Sequence, residues 1–406
     1  MSTTKPKIIN DPVFGFINLP TGFLYELYQH PYLYRLTRIA QLGLSQMVYP
    51  GARHCRFQHI SGAMFLATEA IRQLRLKGHD ISEAEAEGLT AAVMLHDIGH
   101  GPFSHVLEHS FFNAVSHEQI SLRLMEKLNE EFDGKLDIAI QIFTNQYSKR
   151  FLHQLISSQL DVDRLDYLRR DSFFTGVVEG TIGSARIIKM LNVVNDHLVV
   201  EAKGIYSIEN FLVARRLMYW QVYLHKTSLA AEKMLINTLQ RAKDLIAQGV
   251  SLPASPSLLF FLEQHLAPGQ ITEEALQHFL QLDDEDIWQA LKYWQHSQDF
   301  VLSTLCQGLL NRRLFKACLS NEAPQPERVQ QDLDAISKRF SISREEAKYL
   351  VVSSEVSSNM YNNHEQDIEI LYNDGSIRPI AEASDMLNID VLSKKVKKHL
   401  YTRIRM

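Results

Sequence analysis

The chain has 406 residues, of which 45% are hydrophobic and 22% charged, and carries a formal net charge of -5. This suits a globular protein with one main core and one or two smaller units, and it argues against nucleic-acid coating while leaving room for a local basic groove. Three cysteines, Cys55, Cys306 and Cys318, form no CxxC pair and exclude a disulfide scaffold or a cysteine-rich zinc site, so reduced thiols are expected.

Residues 1–7 lack the apolar stretch of a secretory leader, and no run approaches the length of a membrane span, so a cytoplasmic location without a membrane partner is expected. The first strong periodicity begins at His59. Apolar residues at Ile60, Ala63, Met64, Ala67, Ala70, Ile71 and Leu74 fall at steps of three and four, which predicts a helix with one buried face opening at His59. The almost wholly apolar run Leu89 to Leu95 then predicts a buried helix that delivers His96 and Asp97 at its end, into Ile98-Gly99-His100-Gly101-Pro102. Burying two ionisable groups there is costly without a partner.

A further periodic segment runs from Phe151 through Leu155, Ile156, Leu160 and Leu165, and it carries Asp163, Tyr167 and Asp171 on one face. Another is expected from about Ile208 to Ala247, with Arg215, Tyr219, Tyr223 and Lys226 forming a polar face. Proline-rich breaks at Ser251 to Ser257 and at Asn321 to Glu327 suggest three units: a core over 1–250, a helical extension over 251–322, and a small α+β region over 323–406. In the last, Asn373-Asp374-Gly375-Ser376 between two apolar runs predicts a hairpin, and Arg344 to Val352 a short helix. The basic run from Lys394 to Arg405 reads as a solvated tail. The fold class expected is mainly α.

His59, His96, Asp97 and Asp163 together make a set suited to one divalent cation. Two neutral imidazoles and two carboxylates keep the net charge near zero and leave positions open for water and a phosphate oxygen. The chemistry this suggests is hydrolysis of a phosphate ester.

The segments Arg56-Phe57-Gln58-His59, His96-Asp97-Ile98-Gly99-His100-Gly101-Pro102-Phe103-Ser104-His105 and Asp161-Val162-Asp163-Arg164-Leu165-Asp166-Tyr167 resemble those of HD-domain phosphohydrolases. The branch most similar is the deoxynucleoside triphosphate triphosphohydrolases, and the resemblance covers roughly residues 7 to 320. It implies an HD-domain helical core in which His59, His96, Asp97 and Asp163 bind one divalent metal ion (Mg, Mn, Fe, Ni or Zn). It also implies release of a deoxynucleoside plus intact inorganic triphosphate. His100 and His117 stand at the proton-donor positions, with Glu108 set to orient one imidazole. Arg56, His105, His225 and Lys226 match phosphate contacts, and Tyr167, Asp171 and Tyr223 match positions that touch the sugar. Gln41 and Leu42 also match sugar-reading positions, where an apolar leucine would exclude a 2′-hydroxyl. Arg164 stands where the family has lysine, which changes geometry more than charge. The partners implied are a nucleotide substrate, chiefly a dNTP, and further copies of the chain in a dimer or tetramer; nucleic acid is not an expected partner. Two other readings stay open, an HD phosphohydrolase acting on a monophosphate, cyclic nucleotide or alarmone, and a nucleotide sensor without turnover.

Overall fold

In the computed structural model, which describes residues 7–103, 106, 108–111, 114–264, 266–267, 269–358, 367–388 and 396–405, the chain opens on a hairpin of β1 (Ile8–Asp11) and β2 (Gly15–Asn18). Two short helices follow, α1 (Phe23–Tyr28) and α2 (Pro31–Tyr34), and then the long α3 (Arg56–Leu76) and α4 (Glu83–Leu95). The core continues through α5 (Glu108–Phe111), α6 (His117–Glu131), α7 (Asp137–Phe143), α8 (Arg150–Gln154), α9 (Val162–Thr175) and α10 (Ser184–Met190). After the hairpin β3 (Leu191–Val194) and β4 (His197–Glu201) come α11 (Ile205–Met218) and α12 (Lys226–Ala247). The mainly helical character expected from the periodicity is present. Among the described residues, no helix is long and apolar enough to cross a membrane.

The face predicted for α3 is the one it buries: Ile60, Ala63, Met64, Ala67, Ala70, Ile71 and Leu74 are all core residues. Each larger apolar side chain there contributes about 1.5–3 kcal/mol by leaving water. Local chemistry fixes where the helices begin. Ser82 and Glu85 exchange hydrogen bonds at the start of α4, with the Glu85 amide donating to Ser82 Oγ at 3.2 Å and the Ser82 amide to Glu85 Oε2 at 2.8 Å. Ser116 and Gln119 do the same at the start of α6.

Two helices are shorter than periodicity predicts. The apolar steps from Phe151 to Leu165 run through α8, a turn, and only then α9. The reason is Asp161, whose carboxylate takes the Arg164 amide at 2.7 Å and the Ser158 amide at 2.9 Å, so it caps a new helix. The stretch expected as one helix from Ile208 to Ala247 breaks as well. A five-residue π turn over Tyr219–Tyr223 ends α11, and His225 caps α12 by accepting the Thr227 amide at 3.2 Å.

Four helices form the next layer, α13 (Pro256–Glu263), α14 (Glu273–Gln281), α15 (Asp284–Trp294) and α16 (Phe300–Leu310). The remaining helices and strands are β5 (Lys316–Ser320), α17 (Pro326–Phe340), α18 (Arg344–Ala347), β6 (Val351–Ser358), β7 (Glu369–Leu371), β8 (Ile377–Pro379), α19 (Ile380–Ala383) and β9 (Val396–Arg403). The hairpin predicted around Asn373-Gly375 is present as β7 and β8, but it does not stand alone. β7 pairs in parallel with β4, in register Val200 to Ile370, making a sheet of order β3-β4-β7-β8.

A second correction concerns the basic C-terminal run, which is not a solvated tail over residues 396–403. These residues form β9, the central strand of a β5-β9-β6 sheet, with Leu400, Tyr401 and Thr402 buried. Antiparallel partners on both sides satisfy the backbone of this strand. The three cysteines are free thiols.

Candidate metal centre

Three helices bring four side chains to one place. His59 lies one turn into α3, His96 caps the C-terminal end of α4 with Asp97 next to it, and Asp163 sits in the first turn of α9. Nε2 of His59 is 3.0 Å from Asp163 Oδ1 and 3.7 Å from Asp97 Oδ2. Nε2 of His96 is 3.6 Å from Asp163 Oδ1 and 3.4 Å from Asp97 Oδ1. The two imidazole rings are close to perpendicular, at 76°, with centroids 5.6 Å apart.

The other ring nitrogens are committed outward. Nδ1 of His59 donates to Asp166 Oδ2 at 2.7 Å, and Nδ1 of His96 to the Val93 carbonyl at 2.7 Å. That pattern assigns a lone pair to each Nε2 and aims it into the cluster, as outer partners of metal-binding histidines do. Both Nε2 atoms are buried, and neither has a hydrogen-bond partner among the described residues. Two orphaned imidazole nitrogens facing two carboxylates fit a divalent cation, whose charge the carboxylates match.

The electrostatics agree. Burial alone would push the His59 imidazole down, yet Asp163 and Asp166 hold it up at about 10. For His96, Asp97 and Asp163 overcome burial and hold it at about 9. Burial would raise the carboxyl of Asp97, but His96 and Arg56 keep it well below its ordinary range, and His59 and His96 do the same for Asp163. Without a cation the two imidazoles therefore hold the protons that a metal would displace.

Behind the cluster lies a buried ion network. Arg170 donates through Nε and Nη2 to Asp166 at 2.9 Å each, and through Nη1 to Asp11 Oδ2 at 2.7 Å. Gly62 on α3 makes room for it, since a Cβ there would stand 1.9 Å from Asp166 Oδ1 and 2.2 Å from Arg170 Nη2. The turn after Asp97 is held on both sides. Ser121 Oγ donates to the His96 carbonyl at 2.7 Å and accepts the Gly99 amide at 2.9 Å, and a Cβ at Gly99 would meet the His117 carbonyl at 2.1 Å. From the other side the fully buried Arg35 donates to the carbonyls of Ile98, His100 and Leu282 at 2.8–3.0 Å.

His100 and His117 stack with ring centroids 4.0 Å apart, and His100 Nε2 lies 3.3 Å from Asp97 Oδ1. Burial, with the Arg56 guanidinium next, drives His100 well below the ordinary imidazole range. Glu108 opens α5, but its side chain, like all of His105, lies outside the described residues. Arg56 Nη1 donates to Asp97 Oδ2 at 2.5 Å. Arg164 is pinned by the Ser158 carbonyl at 2.8 Å and by Asp161 at 3.2 Å.

The expected sugar contacts gather around the π turn. Tyr223 donates to Asp171 Oδ2 at 2.8 Å, His54 meets Asp171 Oδ1 at 2.7 Å, and the Tyr167 and Tyr223 rings meet edge to face with centroids 6.1 Å apart. Tyr223 also lines a cavity of about 590 Å³ together with Gln41 and Leu42, and Gln41 Oε1 is buried with no partner among the described residues. His225 caps α12, whereas Lys226 lines a separate basic basin with Arg312, Lys316 and Arg405.

Sequence reasoning did not single out Asp166, Arg170, Arg35 or Arg215 as site residues. Arg215 is 4% exposed, with Nη1 on Gln159 Oε1 at 3.0 Å and Nε unpaired. The step of four from Asp166 to Arg170 was the one readable signal, since opposite charges at that spacing share a helix face.

The comparisons with known proteins now bear on this geometry. The HD domain model matches residues 56–171, and a model described as HD associated region matches residues 182–251. A crystal structure of a phosphohydrolase from Bacteroides thetaiotaomicron superimposes with a TM-score of 0.96 at 59% identity, covering 99% of this chain and 100% of that one. The chain belongs to the HD-domain phosphohydrolase family. The HD segment runs from Arg56 to Asp171, from the first turn of α3 to the carboxylate that holds Tyr223. An uncharacterized Bacillus subtilis protein, YwfO, is 29% identical over 395 residues, spanning 94% of this chain and 88% of its own length. The human deoxynucleoside triphosphate triphosphohydrolase SAMHD1 is 28% identical over 284 residues, which is 59% of this chain and 45% of that protein.

Proposed function

We propose that this HD-domain protein hydrolyses deoxynucleoside triphosphates to deoxynucleoside and inorganic triphosphate, with one divalent cation held by His59, His96, Asp97 and Asp163. What carries the reading is the pair of buried imidazole nitrogens, without hydrogen-bond partners among the described residues, facing two carboxylates. The substrate class is supported by the likeness to SAMHD1 and by the cavity that Gln41, Leu42 and Tyr223 help to wall.

When bound, the cation supplies Lewis acidity at a phosphate oxygen and makes proton loss from water easier. The remaining work falls to the chain. A triphosphate brings about four negative charges, which calls for several fixed cations. Arg56 stands in the cluster, donating to Asp97, and His105, which closes the His96 segment in sequence, is the second expected phosphate contact. Lys226, by contrast, lines a separate basin with Arg312, Lys316 and Arg405. His117, stacked on His100, gives a proton from its imidazole to the departing 5′ oxygen, and Glu108 orients that pair. Tyr167 and Tyr223 pack on the deoxyribose, and Asp171 holds the Tyr223 hydroxyl in place. Leu42 fills the space that a 2′-hydroxyl would need, with Gln41 beside it.

Product analysis tests this directly. The protein is incubated with each dNTP and Mn²⁺ or Mg²⁺, and the products are separated by anion exchange. Nucleoside plus triphosphate is the expected result. Release of monophosphate or orthophosphate would move the chain to another HD phosphohydrolase activity, and absence of turnover with every metal would leave a sensor.

A further inference from the structure

The 590 Å³ cavity extends past Gln41, Leu42 and Tyr223 along one face of α12, where its wall is formed by Leu229, Glu232, Ile236 and Leu239. Its size lies within the range of pockets that bind small molecules. Almost the whole wall is apolar or neutral. Glu232 is the single carboxyl among the described residues that line it, and no described residue donates a hydrogen bond to that carboxyl. The two lysines on the wall, Lys233 and Lys243, follow Glu232 on α12, and the Lys243 ammonium is already given to the Ser110 carbonyl at 2.9 Å. Gln240, also on the wall, donates to Asp244 at 2.9 Å. Glu232 is therefore a half-buried acceptor on a mixed wall, without a hydrogen-bond partner among the described residues. Burial pushes its carboxyl up to about 7, Lys233 opposing, and a pair of N–H donors bound there would favour the ionised, accepting form.

If Gln41, Leu42 and Tyr223 take the sugar, as the proposed function has it, the base enters the part of the cavity walled by α12. A carboxylate accepts and does not donate. Among the four DNA bases, guanine alone has two adjacent N–H donors on its pairing edge, at N1 and at the exocyclic N2. Adenine and cytosine each set one donor beside an acceptor, and thymine has one donor between two acceptors. We infer that Glu232 determines base preference in this chain, its carboxylate taking the paired donors of guanine. Hypoxanthine keeps the N1 donor and lacks the N2 amino group, so it isolates half of the contact.

The test measures kcat/KM for dGTP, dITP and dATP with the intact protein, Glu232→Gln and Glu232→Ala, and dissociation constants for deoxyguanosine and deoxyinosine with the same three proteins. The expected result is a preference for dGTP over dITP of about tenfold, the size of one hydrogen bond to a charged acceptor, falling to within about twofold in Glu232→Ala. Glu232→Gln, which turns one acceptor into a donor, should fall between the two. Equal preferences in the intact protein and Glu232→Ala would overturn the inference even if every dNTP is hydrolysed, and the hydrolysis reading would survive. Deoxyguanosine binding that depends on Glu232, with no dNTP turned over, would do the reverse.

Discussion

Asp166 lies 2.7 Å from Nδ1 of His59, and this contact decides which nitrogen of the imidazole faces Asp97 and Asp163. Its carboxylate is shared with the buried guanidinium of Arg170, so one group orients a metal ligand and neutralises a core cation. In Asp166→Asn an amide must face either Arg170 or His59. Metal affinity should fall about 10- to 100-fold, the usual effect of losing such an outer partner. Calorimetric titration with Mn²⁺ would show it, and an unchanged dissociation constant would remove Asp166 from this role.

His96→Ala or Asp163→Ala should remove the metal outright while leaving the helical fold. Each deletes one of the ligating atoms, and far-ultraviolet circular dichroism should be unaltered. Full metal content by elemental analysis in either variant would contradict the site.

Gly62→Ala places a methyl group 1.9 Å from Asp166 Oδ1 and 2.2 Å from Arg170 Nη2. Neither group can retreat without losing its partner, so the variant should be less stable by about 1–3 kcal/mol or more, as overpacked cores are. Chemical denaturation measures this, and a loss under about 0.5 kcal/mol, the level of an ordinary surface change, would mean the network yields freely.

The legibility of the site from sequence follows the same division. The buried face of α3 and the run leading to His96 were readable because helical period and apolar content coincide there. Beyond the step of four from Asp166 to Arg170, the roles of Asp166 and Arg35 were not readable, because their work is done across the fold: Arg35 reaches carbonyls 63, 65 and 247 residues away in the chain. The breaks at Asp161 and at the π turn were hidden for a related reason, since apolar spacing continues through both while single caps and backbone bonds reset the helix. The N-terminal hairpin gave no strong alternation, and the pairing of β7 with β4 joins segments about 170 residues apart, beyond what local pattern encodes.

Leu42→Ala should open space beside the sugar. The ratio of kcat/KM for ribo- over deoxynucleotide should rise about tenfold, the range that a small packing change commands. Parallel assays with GTP and dGTP measure it, and a constant ratio would place sugar discrimination elsewhere.

The acid limb of stability has an identifiable contributor. Glu85 is buried at 5% exposure, accepts from Tyr147 and Lys149 at 2.9 Å each, and caps α4. Burial would raise its carboxyl, but Lys149 and the Ser82 amide hold it below its unfolded value of 4.5. A lowered folded value means the stabilisation is present above pH 4.5 and is lost as pH falls through the folded value. Glu85→Gln should therefore melt earlier than the intact protein at pH 7, and the gap should close below pH 4.5. A gap in Tm that stays constant down to pH 3 would assign the effect to shape instead of charge.

The middle position of β9 bears on how the polypeptide matures. β5 and β6 are both made well before Val396–Arg403, yet among the described residues each pairs with that strand alone. On a growing chain they must wait with open edges, a state that invites chaperones or intermolecular pairing. Completion of this sheet is thus a late step in biogenesis, set by topology and not by the strength of any one contact.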